Sequence, residues 1–236
     1  MPIYQKPTSD IARLAFLQET KVTAEADIAA GNPSISQATL DAIILFLPDF
    51  EDKIDAISAT LTGREKEVRE RNYIFDKLET YLRDFWAVLV RRVHRNKEHA
   101  EVFTYYKLPL SGVMPSYLTK SQMLEIAKDV VLGDANAVVA GHTLMSNPSA
   151  LELDAVIQAA KVEFDDVAIA DRDYDQAQAI VADSRIIADE FIQEVMDELR
   201  FALRKMDFSS QRRVMRSYGA IYEFVEGEPE DDLEIE

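Results

Sequence analysis

The sequence predicts an all-α, elongated protein organised around two long amphipathic helices, with several short helices beside them. The first observation is the spacing of apolar residues from Leu40 to Leu61, which alternates between three and four positions and resumes from Val68 to Leu89. Such spacing places one apolar stripe along a helix. The second observation is a later segment, between Ser149 and Tyr218, that contains neither glycine nor proline. The third observation is that the two segments resemble each other, which indicates a tandem duplication.

The duplication is inferred from a gapless match at a constant offset of 113 positions. Residues 40–44 read Leu-Asp-Ala-Ile-Ile, and residues 153–157 read Leu-Asp-Ala-Val-Ile. An Asn-Pro-Ser sequence opens each copy, and both Ser34-x-x-Gln37 and Ser149-x-x-Glu152 fit the capping box that starts a helix. The chain is therefore predicted to comprise a first helical repeat (1–110), a second helical repeat (111–222) and an acidic tail (223–236).

Each long segment is predicted to be one helix, although the first contains two helix-breaking residues, Pro48 and Gly63. The alternative is that each copy folds into a helical hairpin and that two hairpins form a bundle. The second copy favours a single helix, because it has Lys161 and Gln176 at the matching positions and contains no turn chemistry. A helix of 58 residues would span roughly 85–90 Å, with a kink expected near Pro48.

The shorter elements are read from caps and stop signals. Gly31, Gly133 and Gly141 are predicted to end helices, and Asp134 is predicted to cap a very short helix between the last two. The remaining predictions are an irregular stretch at 1–8, helices at 9–30, 98–103, from 119 and at 211–217, and an extended strip at 220–225.

Composition excludes several classes of protein. The chain has 236 residues, 47% of them apolar, so it can bury a sizeable core. It has no cysteine, which excludes disulfides and thiolate metal sites. A net charge of −17 makes nucleic acid an unfavourable partner. With no apolar run of membrane length and no secretory pattern, we expect no membrane partner and a cytoplasmic location.

No catalytic or metal-binding motif is recognisable in the sequence. The residues three positions before His94, His99 and His142 are not glutamates, so the Glu-x-x-His motif of helical di-metal sites is absent. We interpret these histidines as surface residues, and Phe85 and Trp86 as core residues. The sequence therefore predicts no enzymatic activity, no cofactor, no metal and no small-molecule substrate.

Two basic clusters at the ends of the long segments are the candidate binding residues. One interpretation is structural, because cations are favoured near a helix C-terminus by about 0.3–1 kcal/mol each. These cations could equally receive the acidic tail of the chain, or bind an anionic partner. The first cluster is Arg91, Arg92 and Arg95, followed by Lys97; the second is Arg204, Lys205, Arg212, Arg213 and Arg216.

The functional prediction follows from the long helices and from the absence of recognisable catalytic or metal-binding motifs in the sequence. We expect a non-enzymatic structural or assembly protein that uses its helices as spacer and interaction surface, with a protein partner or self-association. Two long helices leave apolar surface that the short helices or a second chain should cover. The alternative is an adaptor that binds an anionic partner, nucleic acid or acidic protein, through the basic clusters.

Overall fold

The computed structural model describes residues 2–95, 98–117 and 119–224, which form six α-helices and two short strands. The all-α class with two long helices is confirmed, and the two strands pair antiparallel. The elements are β1 (Ile3–Gln5), α1 (Asp10–Ala29), α2 (Gln37–His94), α3 (Val102–Tyr105), α4 (Lys120–Val139), α5 (Ala150–Ala202), α6 (Phe208–Ser217) and β2 (Ile221–Glu223).

Both long segments are single helices, so the hairpin alternative is wrong. Pro48 and Gly63 lie inside the 58-residue α2, and α5 continues for 53 residues. A side chain at Gly63 would meet no atom within 4 Å, so that glycine marks neither a turn nor a close contact. Good helix formers on either side therefore decide the local structure.

The chain divides into two compact units that each contain part of both long helices. Unit 1 comprises residues 1–60 and 174–236, and unit 2 comprises residues 61–173. These units are a different division of the chain from the predicted repeats, 1–110 and 111–222. The repeats remain a prediction from the sequence.

Unit 1 has a core in which the beginning of α2 packs against the end of α5. Thr39 donates a hydrogen bond to Glu198 over 2.7 Å, and Lys53 donates one to Ser184 over 2.9 Å, so the two helices run antiparallel here. The helices α1 and α6 and the β1–β2 pair complete the unit. Its largest fully buried side chains are Phe16, Leu17, Ile43, Phe50 and Tyr218.

Two reciprocal ion pairs fasten α1 to α5 in unit 1. Arg13 donates from Nε to Asp189 over 2.9 Å, and Arg185 donates from Nε to Asp10 over 2.8 Å. Each guanidinium uses a second nitrogen for the same carboxylate, which is the strong, bidentate form of this interaction. The hydrogen bonds from Arg185 hold the pKa of Asp10 below its usual range.

Unit 2 has its own core, formed by the end of α2, the beginning of α5, and α3 and α4. The expectation that Phe85 and Trp86 are core residues is confirmed, since Phe85 is fully buried and Trp86 is 2% exposed. Tyr106 donates a hydrogen bond of 2.8 Å to the buried Asp134 on α4. Burial of Tyr106, together with that bond, raises the pKa of its hydroxyl.

The start of α2 differs from the predicted capping box. The hydroxyl of Ser36, not that of Ser34, accepts the backbone amide of Thr39 over 3.1 Å. Ser34 instead donates to Asp27. The box predicted at Ser149 is confirmed, because its hydroxyl accepts the Glu152 amide while Glu152 accepts the Ser149 amide.

The ends of α1 and α4 share one hydrogen-bond pattern. The amides of Gly31 and Gly141, both at positive φ, donate to the carbonyls of Ile28 and Val138. The residue after each glycine donates further back along the helix, as in a Schellman motif. These two predicted stops are therefore confirmed.

The predicted stop at Gly133 is wrong, and Asp134 does not cap a separate helix. Both residues lie inside α4, which continues to Val139. A Cβ atom at Gly133 would lie 2.6 Å from the carbonyl oxygen of Tyr105, so the glycine permits close packing of α4 on the C-terminal end of α3.

Three smaller elements also differ from prediction. The stretch predicted as irregular at 1–8 includes β1, which pairs with the predicted extended strip at β2. The helix predicted at 98–103 is the four-residue α3, which begins at Val102. The last helix, α6, begins at Phe208, because Asp207 accepts the Ser210 amide as its N-cap.

Candidate functional site

The three arginines of the first basic cluster lie together at the end of α2 and line one pocket of unit 2. The pocket has a volume of about 440 Å³. Residues four apart on a helix share a face, which brings Val88 next to Arg92 and Arg91 next to Arg95. The remaining lining residues are Glu98, Thr143 and Ser146, which lie outside the helices.

Arg92 and Glu98 bind residues 142–144, which form the wall of the pocket opposite α2. The guanidinium of Arg92 donates to the backbone carbonyls of Thr143 and Leu144 over 2.9 and 3.0 Å. Glu98 accepts the Thr143 amide over 3.0 Å and lies 3.0 Å from Nδ1 of His142. Burial alone would raise the pKa of Glu98, but these hydrogen bonds hold it below the usual range. Arg92 is thus committed to positioning the wall.

Arg91 and Arg95 are exposed and face the pocket without a carboxylate partner in the described part of the chain. Arg91 lies in the last turn of α2 and Arg95 directly follows the helix, where its unpaired carbonyls favour a cation. Lys97, which continues the cluster in the sequence, lies outside the described residues. The two guanidinium groups are therefore available to an anion.

The second basic cluster is not assembled in the same way. Arg204 stacks on the ring of Phe201, 4.0 Å from its centroid, while Arg212 donates to Ser209. Arg216 lies 5.2 Å from the ring of Phe224 and lines a separate pocket of about 300 Å³. Lys205 and Arg213 are exposed. The pocket lined by Arg216 is not lined by Arg204, Lys205, Arg212 or Arg213.

An exposed apolar row on α5 was missed in the sequence. In unit 2 the row consists of Leu151, Val162 and Ile169, which are 80%, 57% and 47% exposed. At 100° per residue, spacings of eleven and seven positions keep all three within about 20° of one line along the helix. The spacing was readable in the sequence, but the buried stripe of the same helix gives a stronger signal. Unit 1 has exposed Ile180 and Ile187 on its own part of α5.

Acidic residues accompany this row. Asp165, Asp166 and Asp173 are three or four positions from Val162 or Ile169 and so share its face, on which Arg172 is also placed by its spacing from Ile169. The acceptor oxygens of Glu67, Glu163 and Asp166 lie within 4.8 Å of one another. Desolvation and the charges of neighbouring carboxylates raise the pKa of Glu163. The face is thus both apolar and negatively charged.

The three histidines, all of them within the described residues, differ in exposure. His94 and His99 are exposed, as predicted for surface residues. His142 is half-buried, with its ring 5.4 Å from the ring of Tyr105 and Nδ1 at Glu98, so it differs from a plain surface residue. Residues 225–236 of the predicted acidic tail lie outside the described residues, while Glu223 belongs to β2.

Among the described residues, no helix combines the length and the apolar character needed to cross a bilayer. Comparison with protein-family models, with curated proteins and with solved structures found no match to this chain.

Proposed function

We propose that this is a non-enzymatic assembly protein, which uses its long helices as spacer and interaction surface and binds a partner through α5. The observation that carries the proposal is the exposed row of Leu151, Val162 and Ile169. Exposed apolar surface is favourably buried against a partner, at about 25 cal/mol for each Å² removed from water. A straight row along a helix suits another helix, which can align its own apolar face with it.

The charge of the face indicates the kind of partner. Asp165, Asp166 and Asp173 would attract lysine and arginine residues on either side of an incoming apolar row. A second copy of this chain is a poorer occupant, because each copy carries a net charge of −17. The partner is therefore an amphipathic helix of another protein with basic flanks.

A synthetic helix tests this function on the full-length chain. The probe is an amphipathic peptide of roughly 20 residues, about 30 Å long as a helix, with leucines on one face and lysines beside them. We expect it to bind the wild-type protein and to bind the double variant Val162→Gln, Ile169→Gln at least about tenfold more weakly. That loss corresponds to about 1.4 kcal/mol. Fluorescence anisotropy of a labelled peptide measures both affinities.

Two controls make the result specific. Val139→Gln removes an even more exposed apolar residue, 89% exposed, from α4, outside the row, and should leave binding unchanged. A peptide with glutamates in place of lysines should not bind, because it meets the same acidic face. Equal binding of both peptides, or undiminished binding by the double variant, would refute the α5 surface. Substitutions at exposed positions usually change stability by no more than about 0.5 kcal/mol, so unfolding is not a competing cause.

The pocket formed by Arg91, Arg92 and Arg95 favours a second candidate function, an adaptor for an anionic partner. Its support is the assembly of three guanidinium groups around one concavity, two of them without an acidic partner in the described residues. The second cluster gives weaker support, since its members have separate local contacts.

We also propose that the chain arose by duplication and that the long helices pair as a coiled coil within each unit. The matching ends of α1 and α4 support duplication, as do the caps at Ser36 and Ser149, which are separated by the predicted offset of 113. Buried residues seven positions apart, such as Leu40, Leu47 and Ile54, support heptad packing. A cytoplasmic location stays a prediction from the sequence.

A further inference from the structure

We propose that the pocket lined by Arg91, Arg92 and Arg95 binds a small ligand through a phosphate group. This inference rests on the same pocket as the second candidate function, but assigns it a small phosphate-bearing ligand in place of an acidic macromolecule. The starting observation is that Arg91 and Arg95 line a pocket of about 440 Å³ and have no carboxylate partner in the described part of the chain. That volume is within the range of small-molecule sites.

The number and kind of the donors favour phosphate. Each guanidinium presents a planar fork of N–H groups that matches two oxygens of a phosphate or carboxylate. Two guanidinium groups at one pocket, both without a carboxylate partner in the described residues, suit a ligand with several acceptor oxygens and a charge near −2. A phosphate monoester supplies both at neutral pH. A single carboxylate has two oxygens and one charge, so it would satisfy only one fork well.

The rest of the pocket can accommodate a phosphate and the group that carries it. Thr143 and Ser146 bring hydroxyl groups to the wall that Arg92 fixes, and a hydroxyl can donate to a phosphate oxygen. Val88 adds an apolar side chain to the same lining. The acidic Glu98 is already occupied by the Thr143 amide and His142, although its charge will weaken binding.

Charge argues for a small ligand instead of a large acidic partner. The chain has 43 acidic and 26 basic residues, so an acidic protein or a nucleic acid would bring many negative charges against a negative surface. A small ligand meets mainly the charges within the Debye length, which is about 8 Å at physiological salt. Close to the pocket mouth those charges include the guanidinium groups of Arg91 and Arg95.

Isothermal titration calorimetry of the full-length protein with pyrophosphate tests the inference. We expect one site per chain, with affinity reduced about tenfold or more in Arg95→Gln and abolished in the double variant Arg91→Gln, Arg95→Gln. Arg92 is left intact because it positions the wall. The matched control is Lys205→Gln, Arg213→Gln, which removes two exposed cations from the second cluster and should leave affinity unchanged.

Further titrations separate the possible outcomes. If ADP, which carries the same two phosphates, binds more tightly than pyrophosphate with the same dependence on Arg95, the phosphate is one carried by an organic group; equal affinity indicates a free phosphate ligand. If a polyglutamate peptide binds in an Arg95-dependent way and pyrophosphate does not, the phosphate proposal is wrong and the acidic-partner function stands. If neither anion binds the wild type, both the phosphate proposal and the acidic-partner function are wrong. The single variant keeps the test valid should the double variant unfold, which circular dichroism would reveal.

Discussion

At the scale of single residues, two glycines inside helices have opposite surroundings. A Cβ at Gly133 would lie 2.6 Å from the Tyr105 carbonyl oxygen, whereas one at Gly63 would meet nothing within 4 Å. We therefore expect Gly133→Ala to lower the free energy of unfolding by about 1–3 kcal/mol through overpacking. Gly63→Ala should raise it by up to about 1 kcal/mol, because alanine favours the helix. Urea unfolding measures both; equal effects of the same sign would contradict the packing described for Gly133.

Glu163 provides a pH-dependent test at the same scale. Desolvation, together with the charges of Glu70, Asp166 and Glu67, raises the pKa of Glu163 in the folded state. The folded state therefore binds this proton more readily than the unfolded state, and the ionised group opposes folding at neutral pH. That opposition disappears as the pH falls through the folded-state pKa.

We expect Glu163→Gln to raise the melting temperature at pH 7 and to have a progressively smaller effect as the pH falls through the folded-state pKa of Glu163. Thermal unfolding followed by circular dichroism across this range measures the difference. Asp173→Asn, on the same helix but outside the carboxylate group, is the control and should show a smaller gain. A gain that is independent of pH would show that the Glu163 charge is not its cause.

Residue-level prediction from the sequence succeeded where the residue type alone decides the outcome. Phe85 and Trp86 could be assigned to a core because large apolar side chains at stripe positions are buried in most contexts. Gly133 could not be interpreted correctly, because its role depends on Tyr105, a residue on another element. The pocket arginines were found as a charge cluster, but the wall that Arg92 holds was not predictable from spacing.

At the scale of elements, two serines that lie two positions apart before α2, Ser34 and Ser36, make different contacts. Ser36 caps the helix through the Thr39 amide, while Ser34 makes a side-chain bond to Asp27. We expect Ser36→Ala to lower the free energy of unfolding by about 1 kcal/mol, the usual effect of losing an N-cap. Ser34→Ala should have the smaller effect. Chemical denaturation measures both, and the reverse order would restore the capping box predicted at Ser34.

The ion pair between Asp10 of α1 and Arg185 of α5 provides a second test at this scale. Because Arg185 lowers the pKa of Asp10, the pair stabilises the fold above the unfolded-state pKa of about 3.9 and loses that effect as the pH falls through the folded-state value. Asp10→Asn should lower stability by about 1 kcal/mol at pH 7. The wild type and variant should converge once the pH has fallen below the folded-state pKa of Asp10. A constant difference at all pH values would contradict an electrostatic origin.

Long helices were predictable, whereas the shortest elements were not. The absence of glycine and proline from α5 was enough to predict one helix, and the match between segments extended that conclusion to α2 despite Pro48. The strand β1 was missed because three residues form a strand only by pairing with β2, near the other end of the described chain. Likewise, the closeness of Ser34 and Ser36 left the cap open to misassignment.

At the scale of the whole molecule, the sequence alone could not show how the cores are composed. Local patterns identify similar segments along the chain, so they predicted a division into two repeats, 1–110 and 111–222. In the structure, the core of unit 1 contains residues from α1, both long helices and α6, which come from both predicted repeats. The core of unit 2 lies wholly within one contiguous stretch, residues 61–173. The pairing of distant segments in unit 1 cannot be predicted from local periodicity.

Fragments of the chain test this two-core organisation most directly. The fragment 61–173 contains every residue of the unit 2 core, whereas the fragment 1–110 lacks the α5 residues that complete either core. Circular dichroism and thermal melting of the two purified fragments should show a helical, cooperatively unfolding 61–173 and a 1–110 without a cooperative transition. A cooperative transition in 1–110 and none in 61–173 would contradict the two-core structure and would indicate that the repeat is the folding unit.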